Sequence, residues 1–121
     1  MDTNLFIIAF FVGFFGDLFL QLSGLDYGLK EYFKQHGKTE SLFIAGGMMF
    51  LFYFIHNSLG LPFTYEYLIL NGIIMDLIFR QFRIFPSLDG YYSNLNYFYT
   101  GFWQAFCMCL PLFINKIIKL L

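Results

Sequence analysis

The stretch LFIIAFFVGFFGDLFLQL, residues 5–22, interrupts an apolar run with only Asp17 and Gln21. As a helix it is about the length that crosses a hydrocarbon core of ~30 Å. A helix on the core of a water-soluble domain usually keeps one polar face, whereas Leu5 to Gly16 is apolar nearly all round. Three further stretches, residues 41–59, 66–85 and 97–114, have similar length and character. The expected fold is an all-α integral membrane four-helix bundle, one domain over residues 1–121 without internal repeats.

Composition agrees with that reading. Hydrophobic residues make up 59% and charged residues 12% of the chain, and the mean hydropathy is +0.64. The charged share is about half that of an ordinary soluble domain, which disfavours both a soluble domain and disorder. Net charge is −1 with no basic cluster, so nucleic acid is not an expected partner. The 19 Phe and 9 Tyr fit A/T-rich coding first, but Tyr65, Tyr67, Tyr91, Tyr92, Tyr97 and Tyr99 also flank the expected spans, where amphipathic rings favour the headgroup level. Met1-Asp2-Thr3-Asn4 has no basic character and no A-x-A site follows, so the first segment is expected to be kept as a span. Neither myristoylation nor prenylation is expected, and no glycosylation sequon occurs.

The connections differ in kind. Gly60-Leu61-Pro62-Phe63-Thr64 offers a stop, a turn and a cap before Glu66, and so short a join predicts an antiparallel hairpin. Residues 23–40 predict a short interfacial helix, with Leu25, Leu29, Tyr32 and Phe33 on one face and Lys30, Lys34 and Lys38 on another. Those lysines are candidates for binding an anionic membrane surface. Pro86 to Gly90 predicts a turn, with Ser93 or Asn94 as cap of the last helix, and Pro111 should bend that helix. The lysine and arginine bias places loops 23–40 and 86–96 in the cytoplasm or an interior, with both termini opposite.

Chemistry must come from the few polar groups within the apolar segments: Asp17, Gln21, His56, Asn71, Asp76, Arg80 and Gln104. Asp17 and Gln21 lie late in the first segment, Asp76, Arg80 and Arg83 late in the third, and Gln104 early in the fourth. Antiparallel neighbours bring them to one level, on faces shared with Gly13, Gly72 and Gly101, small residues that let helix backbones approach. The expected intramembrane polar cluster is therefore Asp17, Gln21, Asp76, Arg80, Arg83 and Gln104. Asp76 and Arg80 form an i, i+4 pair, and the sharper expectation is that Arg80 also grips Asp17 across helices. Such a group serves either as a structural clamp or as an ion or proton path, and the absence of a matching polar ladder in the other half favours the clamp. His56 is expected at the opposite surface, in contact with headgroups.

No motif of a metalloprotease, a dithiol oxidoreductase or a serine hydrolase occurs. Cys107 and Cys109 point about 200° apart on a helix, which argues against a shared metal. No enzyme, cofactor or metal site is expected. Two resemblances concern where the chain resides. Gly16-Asp17-Leu18-Phe19-Leu20-Gln21 resembles the G-D-x-x-x-Q element of a small four-span family of peroxisomal and mitochondrial inner membranes, though that family's Trp-rich closing segment is not seen beyond Trp103. Ser41 to Met49, Asp76 to Arg80 and Ile84 to Tyr92 are similar to small membrane proteins of large nucleocytoplasmic DNA viruses, which implies a virion or host membrane. A structural or assembly component, with lipid and other membrane or capsid proteins as partners, is the expected function. A small channel or transporter through Asp17, Asp76 and Arg80, or a non-catalytic subunit of a membrane complex, are the alternatives.

Overall fold

A computed structural model describes residues 3–23 and 28–121, and among them regular structure is entirely helical. The order is α1 Thr3–Leu22, α2 Lys30–His36, α3 Lys38–Ser58, α4 Tyr65–Phe82, a 3₁₀ turn at Pro86–Leu88, α5 Asp89–Asn94 and α6 Tyr97–Leu120. Three of these, α1, α3 and α6, are long and apolar enough to cross a membrane. The third apolar stretch is helical too, but α4 carries Glu66, Asp76 and Arg80 and is not among the three.

Turn chemistry sets most boundaries, with some departures from expectation. Gly37, at φ +81°, separates α2 from α3, so Lys30 and Lys34 lie on α2 while Lys38 opens α3. The three lysines therefore do not form one helical face, and Leu25 lies outside the described residues. Helix α4 stops at Phe82 because Arg83 turns left-handed, at φ +47°. The cap of α6 is Asn96 rather than Ser93 or Asn94: its side-chain oxygen accepts the Tyr99 N–H at 3.0 Å. Pro111 sits inside α6, and the helix continues past it to Leu120.

Packing forms two close helix pairs, α1 with α3 and α4 with α6. Glycine permits each approach. A Cβ at Gly13 would lie 2.3 Å from the Ala45 carbonyl oxygen, and one at Gly72 would lie 2.8 Å from the Ala105 Cα. Within the first pair Phe6 meets Phe50 and Phe10 meets Phe43, and within the second Gly72 meets Ala105 while Gln81 meets Tyr97. Rising numbers on one partner face falling numbers on the other, so both pairs are antiparallel. Helices α3 and α4 follow one another through a short loop; Phe52 of α3 lies 5.5 Å from Phe79 of α4, and Tyr53 lies 5.8 Å from Phe63 of the loop.

Tyr53, Leu68 and Met108 are wholly buried where the pairs face each other. The outside is unusually apolar: Phe15, Phe19, Phe54, Phe98, Phe102 and Phe113 are all more than half exposed. So extensive an apolar exterior is out of place in water and supports a membrane protein.

Candidate functional site

Two glycine-containing helix faces bring a carboxylate each to a common cavity. On α1, Gly13 admits α3 closely, and one turn later Asp17 meets Ser41 at the start of that helix. The Ser41 hydroxyl donates to Asp17 Oδ2 at 2.7 Å and Gln21 Nε2 donates to the same oxygen at 2.9 Å. Ser41 is wholly buried, and Gln21 also donates to the Lys38 carbonyl at 2.9 Å, which ties the end of α1 to the start of α3. On α4, Gly72 admits α6, and one turn later Asp76 Oδ2 accepts the Thr100 hydroxyl at 2.8 Å. Asp17, Asp76 and Gln104 line one cavity of about 170 Å³, with Tyr32, Tyr91 and Tyr92 on its loop side.

The expected grip of Arg80 on Asp17 does not form. Arg80 donates to the Tyr92 carbonyl at 2.5 Å, to the Leu95 carbonyl at 3.0 Å and to Thr100 Oγ1 at 2.7 Å. Its guanidinium stacks 4.3 Å from the Tyr97 ring centre and 4.9 Å from that of Tyr92. The physical reason is competition: the short α5 and its exit leave carbonyls without helical partners beside α4, and a planar fork with five donors matches them. Arg80 does not pair directly with Asp76 either. Thr100 accepts from the guanidinium and donates to the carboxylate, so the positive charge reaches Asp76 through one hydroxyl.

Arg83 leaves the expected cluster altogether, because its left-handed backbone turns it outward to Asp89, where Nη2 and Nε lie 2.5 and 3.2 Å from the carboxylate oxygens. Gln104 stays on the cavity wall, its amide 3.9 Å from Met49 Sδ. Lys30, Lys34 and Lys38 are exposed. Tyr32, on the opposite face of α2 from the lysines, is buried against Phe85, and His36 reaches Ser87 at 3.3 Å, so α2 and the 3₁₀ turn together close the loop end of the cavity. Burial first, and then the charge of Asp76, hold the Tyr91 and Tyr92 phenols above their ordinary range, so both remain neutral.

His56 is also placed differently from expectation. It is wholly buried rather than at a surface, with Nε2 2.8 Å from the Pro62 carbonyl and Nδ1 3.2 Å from Asn71 Nδ2. This geometry suits the tautomer with its hydrogen on Nε2, and it fastens the α3–α4 loop to α4. Tyr53, nearly one turn before His56 on α3, is wholly buried, as are Leu68 and Met108. The Tyr53 hydroxyl donates to the Met108 carbonyl, in the turn of α6 that Pro111 deprives of an N–H. Tyr53→Phe should cost about 1 kcal/mol in detergent-solubilised unfolding, the worth of one buried hydrogen bond.

Ser41, Thr100 and Tyr53 were not legible as site residues, because single hydroxyls are common in apolar helices. Thr100 carried a faint signal, since it precedes Gly101 and sits one turn before Gln104 on the same face. Compared with protein-family models, curated proteins and solved structures, the chain matches none.

Proposed function

We propose that the chain is an integral membrane protein whose α1, α3, α4 and α6 all span the bilayer as a four-helix bundle, and that it acts as a structural or assembly component of that membrane. The carrying observation is that the polar groups buried among the helices are bonded to one another across helix pairs, Asp17 of α1 to Ser41 of α3, Asp76 of α4 to Thr100 of α6 and His56 of α3 to Asn71 of α4, as a clamp requires. A polar fourth span is compatible with lipid because most of its costly groups have partners inside, Asn71 Nδ2 with His56, Asp76 with Thr100, and the Arg80 terminal nitrogens with two carbonyls and a hydroxyl, leaving Asn71 Oδ1 and Arg80 Nε without one. In this reading the exposed lysines of α2 and early α3 lie at the headgroups on the cytoplasmic or interior side. A virion or host membrane, which the resemblance to small viral membrane proteins implies, is the proposed site of residence.

Reconstitution into liposomes tests it. Ion and proton flux should equal the background of protein-free vesicles, and Asp17→Asn should change nothing. Saturable or voltage-dependent flux that disappears in Asp17→Asn would replace the structural reading with transport.

A further inference from the structure

The acid-lined cavity adjoins an exterior groove across a shared wall. Val12, Gly16, Trp103 and Cys107 line the cavity, and the same four residues line an apolar groove on the outside between α1 and α6. That groove has a volume of about 610 Å³ and extends from Ile8 and Ile114 to Phe19 and Trp103. Between Ile8 and Phe19 a helix rises roughly 17 Å, close to the depth of one leaflet of a ~30 Å hydrocarbon core. The junction is open at Gly16, where an added Cβ would meet no atom within 4 Å. Gly13, nearly one turn earlier, is shut by the Ala45 backbone.

The two spaces differ in chemistry. The groove is walled by Phe, Ile, Leu and other apolar side chains. Among the described residues the cavity wall holds two carboxylates and no Lys, Arg or His. Arg80 serves Asp76 through Thr100, whereas Asp17 is bonded by the neutral amide of Gln21 and the neutral hydroxyl of Ser41. Among the described residues the ion pairs are His36 with Glu40 and Arg83 with Asp89, so neither cavity acid has a direct cationic partner. Trp103, Tyr91 and Tyr92 add aromatic walls, which favour a cation over an anion.

We propose that cavity and groove form one binding site for a single-chain cationic amphiphile, with its ammonium head on Asp17 and its alkyl tail laid between α1 and α6. An engineered cavity of about 150 Å³ holds a benzene, so 170 Å³ takes an ammonium with its first carbons. A carboxylate or phosphate head would meet two acids, and a hydroxyl head would bring no opposite charge to Asp17. The inference rests on the membrane reading for its source of ligand, since lipid delivers an amphiphile directly to the outer groove.

The test photolabels the full-length protein in mild detergent with hexadecylamine carrying a mid-chain diazirine, against unlabelled hexadecylamine, hexadecanol and hexadecanoate as competitors. Label should fall on α1 and α6, and the amine should compete at about tenfold lower concentration than the alcohol or the acid, as one charge-assisted contact implies. Asp17→Asn should weaken labelling about tenfold. Gly16→Leu should block it while leaving the melting temperature near wild type, because its side chain enters open space; this variant decides the matter alone if Asp17→Asn fails to fold. Equal competition by hexadecanol, or full labelling of a well-folded Gly16→Leu, overturns the proposal. Release of the protein from native membranes by alkaline carbonate would instead overturn the membrane reading, whatever the labelling shows.

Discussion

Arg80→Ala is expected to lower the stability of the detergent-solubilised protein by about 3–5 kcal/mol, since hydrogen bonds to a charged group contribute ~1.5–3 kcal/mol each and the part-buried guanidinium makes several. Three charge-assisted hydrogen bonds disappear at once, to the carbonyls of Tyr92 and Leu95 and to Thr100. The carbonyls lose their donors, and Asp76, only 7% exposed, keeps Thr100 but loses the charge behind it. Against a total stability of about 5–15 kcal/mol, this is a large fraction of what holds the fold. Adding Asp76→Asn should recover part of the loss, because the orphaned charge goes with it; a double-mutant cycle on thermal unfolding measures that coupling. Arg83→Ala is the control, since an exposed ion pair should leave the unfolding midpoint in place. Equal midpoints for Arg80→Ala and Arg83→Ala would show that the Arg80 network does not hold α4, α5 and α6 together.

A second large effect is expected at the α1–α3 crossing. Gly13→Ala places a methyl group 2.3 Å from the Ala45 carbonyl oxygen, and a helix backbone cannot yield as a flexible side chain can. The helices must separate, with a cost at the upper end of the ~1–3 kcal/mol typical of overpacking. The damage should spread along the pair, because Asp17 and Ser41 lie one turn from Gly13 and Ala45 and need a 2.7 Å approach. Gly47→Ala offers the contrast: no atom lies within 4 Å of its added Cβ, so it should be neutral or slightly stabilising through helix propensity. Thermal melts of both variants compare them directly, and coincident curves would refute close packing at Gly13.

Helix positions were well anticipated wherever a local signal existed. Gly37, Gly60 and Pro86 marked chain turns, and the apolar runs marked α1, α3 and α6. Ends were less legible: α3 starts at Lys38 rather than at the first apolar residue, and α6 extends through Pro111 to Leu120. Polarity inside a segment does not stop a helix, provided its side chains find partners. The meeting of Asp17, Asp76 and Gln104 at one cavity follows from depth and helical face, both of which spacing encodes. His56 was misplaced for a complementary reason, since its sequence position beside a loop says nothing of the Pro62 carbonyl that folds back over it.

Linear order, hydropathy and helical periodicity were sufficient for an all-helical chain with an apolar exterior, because each depends on residues a few positions apart. Pairing among the polar groups was not available at that level. Arg80 had Asp17, Asp76, Thr100 and the Tyr92 and Leu95 carbonyls as possible acceptors, and the fold presents the last three to its donors. Asp17 consequently keeps neutral partners and faces a cavity, an outcome of competition among groups that chain folding alone brings within reach.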